Sequence, residues 1–278
     1  MNHEHVVAKK HLGQNFLHDL NVVRRIVSSL ELAATDIVLE IGCGTGALTR
    51  HIVLKPQHFI GVELDKSLFQ KLAYQYSTPS THFLNQDILQ LDLSELMHRL
   101  RQPGAKLKVV GNLPYYISSP IIEWLGKQSG MIESATVMLQ AEVADRLMAS
   151  PGSKAFGVLS LIASYYFTAT KLMEVRPGAF RPVPKVSSIV LRLKPKTKRS
   201  LDASEELALF TFIKQGFSQR RKTLWNCLKG SVDRGRLEAM LGRLGHPPNG
   251  RAEILSLEDF ISLFRDLWSS KPPDSRQL

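Results

Sequence analysis

The chain has 278 residues, 44% of them hydrophobic, and 36 Lys/Arg against 25 Asp/Glu leave a formal charge of +11. That length suits one sizeable domain and a smaller second one; no apolar run approaches the roughly 20 residues needed to span a bilayer, and residues 1–10 lack the apolar centre of a signal peptide, so a cytoplasmic protein is expected. Cys43 and Cys227 are too far apart in sequence for a paired secreted framework or a CxxC knuckle, so both are expected to be free thiols.

In chain order, a helix begins near Asp19, with Val22, Val23, Ile26, Val27 and Leu30 on one face. From residue 36 short β-branched apolar runs alternate with amphipathic stretches, the pattern of a parallel sheet covered by helices. Strands are expected at 36–41, 58–63, 81–84, 107–111 and 134–139, and helices near 45–54, 65–76, 119–127 and 141–148. Two later strand-like runs, 159–168 and 188–193, flank a proline-rich loop at 176–186 and suit antiparallel additions at the sheet edge. The run 194–200, which breaks every periodicity, reads as a linker. Beyond it, helix-spaced apolar residues mark 207–217, 223–228, 236–244 and 257–268. The expected organisation is an α/β domain over 10–195 and a basic helical domain over 200–270.

The charge is unevenly placed. Residues 171–278 hold 21 Lys/Arg against 11 Asp/Glu, whereas residues 1–170 hold 15 against 14. Clustered cations gain free energy by releasing counterions from phosphates, so the asymmetry points to a polyanionic partner for the second domain. The basic run Arg220-Arg221-Lys222, beside Phe217 and Trp225, is either a solvated helix face or an RNA contact.

The segment Val38-Leu39-Glu40-Ile41-Gly42-Cys43-Gly44-Thr45-Gly46 is an apolar strand running into a glycine turn that opens a helix. Such a turn lets a ligand lie against bare backbone. The spacing is GxGxG rather than the GxGxxG of dinucleotide sites, although a nicotinamide cofactor or a purely structural turn remains open on this segment alone. Glu63 falls at the tip of the next strand, where a carboxylate can accept both hydroxyls of a ribose. Asp87, just past the third strand, suits either an adenine amino group or a helix cap.

Gly111-Asn112-Leu113-Pro114-Tyr115-Tyr116 ends the fourth strand, where ligand clefts open in α/β sheets. An exocyclic adenine N6 is a poor nucleophile because its lone pair is delocalised into the ring. Acceptors at the Asn112 side-chain oxygen and the Leu113 carbonyl can hold the amine hydrogens and favour a pyramidal nitrogen. Pro114 stiffens the turn, and Tyr115 offers a face for stacking a base. A structural turn with a buried tyrosine is the other reading of the tetrapeptide.

Gln14-Asn15-Phe16-Leu17, the glycine loop, Asn112 to Tyr115, Lys154-Ala155-Phe156-Gly157 and Phe180-Arg181-Pro182-Val183-Pro184-Lys185-Val186-Ser187-Ser188 together resemble the ribosomal RNA adenine dimethylase family, and within it the bacterial enzymes acting on small-subunit 16S rRNA. The resemblance implies a Rossmann-like S-adenosylmethionine methyltransferase domain with a small C-terminal α-helical domain. It further implies S-adenosylmethionine held by Asn15, Leu17, Gly42, Glu63, Asp87 and Asn112, and Phe180 as a second stacking wall opposite Tyr115. Two adjacent adenines near the 3′ end would each receive two methyls, with no metal required. Two positions depart from the family pattern: Cys43 stands where proline is usual, and Tyr116 where asparagine is common.

The histidines show no metal-ligand spacing. Lys9 and Lys10 form a second candidate RNA contact, and a monomer is expected. The rival readings are a large-subunit rRNA methylase of the macrolide-resistance type, a ribosome-assembly factor that has lost turnover, and a nicotinamide dehydrogenase, the last disfavoured by the glycine spacing.

Overall fold

A computed structural model describes residues 8–9, 12–197, 199, 201–219 and 221–268. The chain divides into two compact units, one comprising Met1–Ala144 and Phe167–Pro195, the other Asp145–Tyr166 and Lys196–Leu278. Residues 145–166 therefore group with the C-terminal helices, whereas their sequence pattern suggests the first domain.

In the first unit, β1 (Phe16–Leu17) leads to α1 (Leu20–Ser29), which starts where the Asp19 side chain accepts hydrogen bonds from the Asn21 and Val22 amides. The apolar face of α1 buries Val23, Ile26 and Val27. There follow β2 (Ile37–Ile41), α2 (Thr49–Ile52), β3 (His58–Val62), α3 (Lys66–Gln75), β4 (Thr81–Leu84), α4 (Leu93–Arg99), β5 (Leu107–Asn112), α5 (Ser118–Lys127), β6 (Ile132–Gln140) and α6 (Ala141–Leu147), the last of which runs across the division between the units at Ala144. After α7 (Val158–Tyr166) of the second unit, the chain returns as β7 (Phe167–Val175), β8 (Phe180–Arg181) and β9 (Ser188–Pro195).

Seven strands form one sheet in the order β4-β3-β2-β5-β6-β9-β7, and β1 pairs with β8 in a separate ribbon. The five strands from β4 to β6 are parallel, while β9 runs antiparallel to β6, and β7 to β9. Strands β2 and β3 are apolar and buried almost throughout, as expected of parallel strands covered on both faces. The chain leaves β2 in one direction to make β3 and β4, then returns to make β5 on the other side of β2. A crevice therefore opens at the carboxyl ends of β2 and β5.

Register decides what meets there. Ile41 lies opposite Val62 on one side and Gly111 on the other, so Gly42, Glu63 and Asn112 are each the next residue outward. Gly111 has no room for a side chain, since a Cβ would come within 2.7 Å of the Ile41 carbonyl oxygen.

Several elements differ from the sequence-based expectation, among them β7, β1 and β8, which are not among the expected strands. Helix α2 is shorter than expected because Gly42, Gly44 and Gly46 all have positive φ, and the helix starts only after the last of them. Helix α4 is additional to the expected set, although Asp92 accepts from the Ser94 and Glu95 amides as an ordinary N-cap. The run 159–168, expected as a strand, is mostly α7, a helix buried nearly all round; an apolar run of that length carries no period to tell the two apart.

The second unit packs α7 with α8 (Ala203–Gly216), α9 (Leu224–Leu228), α10 (Arg234–Arg243) and α11 (Leu257–Leu267). Phe212 and Phe217 of this unit pack on Phe260, and the hydroxyls of Tyr165 and Tyr166 both donate to Glu206 at 3.0 Å. Asp202 and Ser256 open α8 and α11 with capping boxes. No helix among the described residues is long and apolar enough to cross a membrane. Cys43 and Cys227 are both free and buried.

Candidate active site

The crevice is a cleft within the first unit, and Asn15, Leu17, Gly42, Glu63, Asp87 and Asn112 all line it, together with Leu113, Pro114 and Tyr115. The register of the sheet thus brings together residues spread over a hundred positions of sequence.

On one side, Glu63 ties the glycine loop to the end of β3. Its carboxylate accepts from the Gly44 amide at 2.7 Å and from the Asp65 amide at 2.9 Å. Glu63 is only 7% exposed, and burial raises its pKa against the pull of these two N–H donors. Each carboxylate oxygen has two acceptor sites, so two remain after the backbone bonds, enough for a pair of ribose hydroxyls. The glycine loop beside it is a cradle of bare backbone: a Cβ on Gly44 would press the Phe16 ring at 3.3 Å, and one on Gly46 would meet Leu72 at 2.8 Å. A nucleoside with a vicinal diol fits this donor and acceptor set.

Beneath the loop, Glu40 is buried and accepts from the Thr49 hydroxyl at 2.8 Å. Burial pushes its carboxyl up to about 8, with the nearby Glu63 adding to the effect. Cys43 is also buried, which raises its thiol pKa. Its sulfur fills space left by Gly61, where a Cβ would approach to 2.9 Å. The departure from proline at this position is thus absorbed by packing. Asp87 caps the 3-10 turn Ile88–Gln90 by accepting from the Leu89 amide at 3.0 Å, and it lines the cleft as well, so the cap and the ligand-facing position coexist.

On the other side, the Asn112 amide is oriented by the N-terminal arm. Its Nδ2 donates to the Asn15 carbonyl at 2.9 Å, and its Oδ1 accepts from no described residue. The open atom is the acceptor that an amine substrate requires. Leu113 is anchored by its amide to the Met138 carbonyl at 3.1 Å, and Pro114, in extended conformation, opens the short turn Tyr115–Ile117. The Tyr115 hydroxyl lies 3.0 Å from Ser188 Oγ at the start of β9, and burial raises its pKa.

Phe180 is not in this group. It is 0% exposed, packed with Leu17, Met138 and Val190 in the core, and paired in β8 against Leu17 of β1. Phe180, expected as a second stacking wall opposite Tyr115, does not line the cleft in this structure, where its ring packs in the core.

Several groups of the site have roles that the sequence does not specify. Ser188 positions Tyr115, and Asn85 donates to the Glu63 and Leu64 carbonyls at 2.9 and 3.1 Å, fixing the turn after β3. Gln14 and Lys9 both reach Asp65, at 3.2 and 2.9 Å. Burial alone would raise the Asp65 carboxyl, but these partners and Ser67 hold it well below the usual carboxylate range. Phe16, Gln14 and Ser188 all lie in motifs visible in the sequence, which does not disclose the tertiary partner of each. Lys9, expected at an RNA contact, is engaged with Asp65 at the rim of the cleft, and Lys10 lies outside the described residues.

In the second unit, Arg221 and Lys222 are exposed, but they sit in the turn between α8 and α9 and not on a helix face; Arg220 lies outside the described residues. Lys222 lines a polar groove with Lys154, Arg251 and Glu253, the last two 3.8 Å apart. Phe217 stacks on Phe260 with ring centroids 5.8 Å apart, and Trp225 carries the Arg234 guanidinium 5.9 Å from its ring centre. Phe217 is thus a packing residue of its own unit. Among the described residues there is no group of three His, Cys, Asp or Glu arranged to hold a metal ion.

Comparison with known proteins places the chain among relatives of full length. The chain is 43% identical over 263 residues to the protein of Francisella tularensis subsp. novicida named Ribosomal RNA small subunit methyltransferase A, covering 92% of this chain and 96% of that one. The protein of the same name from Geobacter sulfurreducens is 41% identical over 264 residues, covering 94% and 95%. Among solved structures, a dimethyladenosine transferase from Plasmodium falciparum aligns with a TM-score of 0.73 at 24% identity, over 90% of this chain and 96% of that one, which shows a shared fold. The 23S rRNA methyltransferase ErmE aligns with a TM-score of 0.67 at 26% identity, over 91% and 99%. The family described as Ribosomal RNA adenine dimethylase matches residues 6–267, and the chain belongs to that family.

Proposed function

We propose that this chain transfers methyl groups from S-adenosylmethionine to N6 of two adjacent adenines in the 3′-terminal hairpin loop of 16S rRNA, giving N6,N6-dimethyladenosines during small-subunit assembly. The observation that carries the reading is Asn112: its Nδ2 is committed to Asn15, leaving Oδ1 open in a cleft that also presents the Glu63 carboxylate. S-adenosylmethionine supplies a methyl carbon bonded to a sulfonium, a strong leaving group. The amine nitrogen forms a bond to that carbon as the carbon–sulfur bond breaks; the electron pair stays on sulfur and the amine then releases a proton to solvent.

The protein's part is positioning. Glu63 and the glycine loop hold the ribose end of the donor, with Asn15, Leu17 and Asp87 completing its surroundings. Asn112 Oδ1 and the Leu113 carbonyl accept the amine hydrogens, and Tyr115, fixed by Ser188, supports the base. The adenines must be unpaired or flipped to reach the cleft. Arg221 and the groove cations Lys222, Lys154 and Arg251 supply phosphate contacts in the second unit. The protein acts as a monomer in the cytoplasm.

Whole-length relatives above 40% identity bear the small-subunit name, whereas the likeness to the large-subunit enzyme is 26%, which favours the small subunit over the large. Incubation of labelled S-adenosylmethionine with unmethylated small and large subunits, followed by mapping of the modified adenines, tests the reading. Label in two adjacent adenines of 16S rRNA is expected. Label confined to the large subunit would replace this reading by the macrolide-resistance type, and no label with either by an assembly factor without turnover.

A further inference from the structure

Tyr115 and Tyr116 are consecutive, but their side chains do different things. Tyr115 is half-buried and its hydroxyl is tied to Ser188. Tyr116 also lines the cleft, yet 53% of it is exposed and its hydroxyl bonds to no described residue. Its ring edge lies over the bare backbone of Gly13, at φ +58°: a Cβ there would come within 3.0 Å of Tyr116 Cδ1. The side chain is thus braced by the N-terminal arm and still open to solvent at the cleft mouth. An exposed tyrosine by itself means little, and Tyr74, 91% exposed on α3, is such a case, since it does not line the cleft. Place distinguishes Tyr116.

Tyr116 is the most exposed aromatic residue lining the cleft among those described. An adenine that leaves its stack to enter the cleft strips its neighbour of a stacking partner. An aromatic face at the mouth restores that contact without regard to base identity. We infer that Tyr116 stacks the nucleobase next to the target adenine, a substrate-binding contact for the reaction proposed above, on which it rests. If the two methylated adenines adjoin, this neighbour is the other adenine, held at the mouth while its partner is in the cleft.

The test uses the full chain with unmethylated small subunits, and an RNA hairpin carrying 2-aminopurine beside the target adenine. Tyr116→Ala should raise KM for subunits about fivefold or more, with kcat and calorimetric S-adenosylmethionine affinity at wild-type values. Tyr116→Phe should restore KM, and Tyr74→Ala should change nothing. The 2-aminopurine fluorescence should be quenched by wild type and Tyr116→Phe and not by Tyr116→Ala. Unchanged KM and quenching in Tyr116→Ala would overturn the inference. So would a parallel loss of donor affinity, which would make the ring a mere prop for Gly13. Wild type that quenches the probe but methylates no small subunit would remove the proposed function and leave the stacking contact standing. Wild type that quenches nothing would overturn the stacking contact whatever its methylation.

Discussion

At the scale of single residues, the cleft depends on acceptors whose other bonds are already spoken for. Glu63 receives two backbone N–H donors and keeps two acceptor sites, so its removal unpairs both the loop and the ribose. Glu63→Ala should weaken S-adenosylmethionine at least about tenfold, since each charged hydrogen bond contributes roughly 1.5–3 kcal/mol; unchanged calorimetric affinity in a folded variant would end the assignment. Asn112→Ala should abolish most transfer, because it removes the side-chain acceptor whose amide the Asn15 carbonyl orients. Tyr115→Phe should retain most of it, losing only the bond to Ser188, worth about 1 kcal/mol; single-turnover rates of the two variants separate orientation of the amine from support of the base.

Glu40 carries a residue-scale prediction about pH. Its folded-state pKa is raised from 4.5 to about 8, so between those values the native state holds a proton that the unfolded chain has released. Stability contributed by this group is therefore full below pH 4.5 and lost as pH rises towards 8. Glu40→Gln keeps an acceptor for Thr49 and has no proton to lose, so its melting temperature should depend less on pH across that window. An unaltered pH slope in the variant would show that Glu40 is not the group responsible.

At the scale of elements, the ribbon of β1 and β8 matters more than its two residues per strand suggest. It pins the N-terminal arm, whose Asn15 carbonyl orients Asn112 and whose Phe16 ring covers Gly44. Phe180 is its buried anchor. Phe180→Ala should destabilise the protein by about 3–5 kcal/mol, the range for deleting a core phenylalanine, measured by denaturant unfolding. A variant of wild-type stability whose only loss is in kcat would instead restore Phe180 as a stacking wall.

At the scale of the whole molecule, nearly all the net charge lies in residues 171–278, so RNA affinity should reside largely there. Removing one cation from a phosphate should flatten log affinity against log salt by roughly 0.7–0.9 units. Replacing Arg220, Arg221 and Lys222 together by alanine should flatten the slope by about two units and weaken subunit binding, with S-adenosylmethionine affinity preserved. An unchanged slope would move RNA recognition to Lys9, Lys10 and the loops around the cleft. The Lys9–Asp65 pair makes that alternative unfavourable for Lys9, which would have to give up a partner on a nearly buried carboxylate.

What the amino-acid order determined by itself was local: the glycine turn after an apolar strand, a carboxylate at the next strand tip, an Asn-Leu-Pro-Tyr turn, and the charge imbalance. These need only a few neighbouring residues, so they were legible together with the parallel sheet and the family resemblance. Tertiary structure alone decided which end of the Asn112 amide faces the cleft, because that depends on the Asn15 carbonyl ninety-seven residues away. It decided that the run at 159–168 is mostly helix, since an apolar stretch takes whichever form its packing partners select. It also placed Phe180 in the core and left Tyr116 at the mouth, because the exposure of a ring is fixed by what packs over it, and neither spacing nor composition records that.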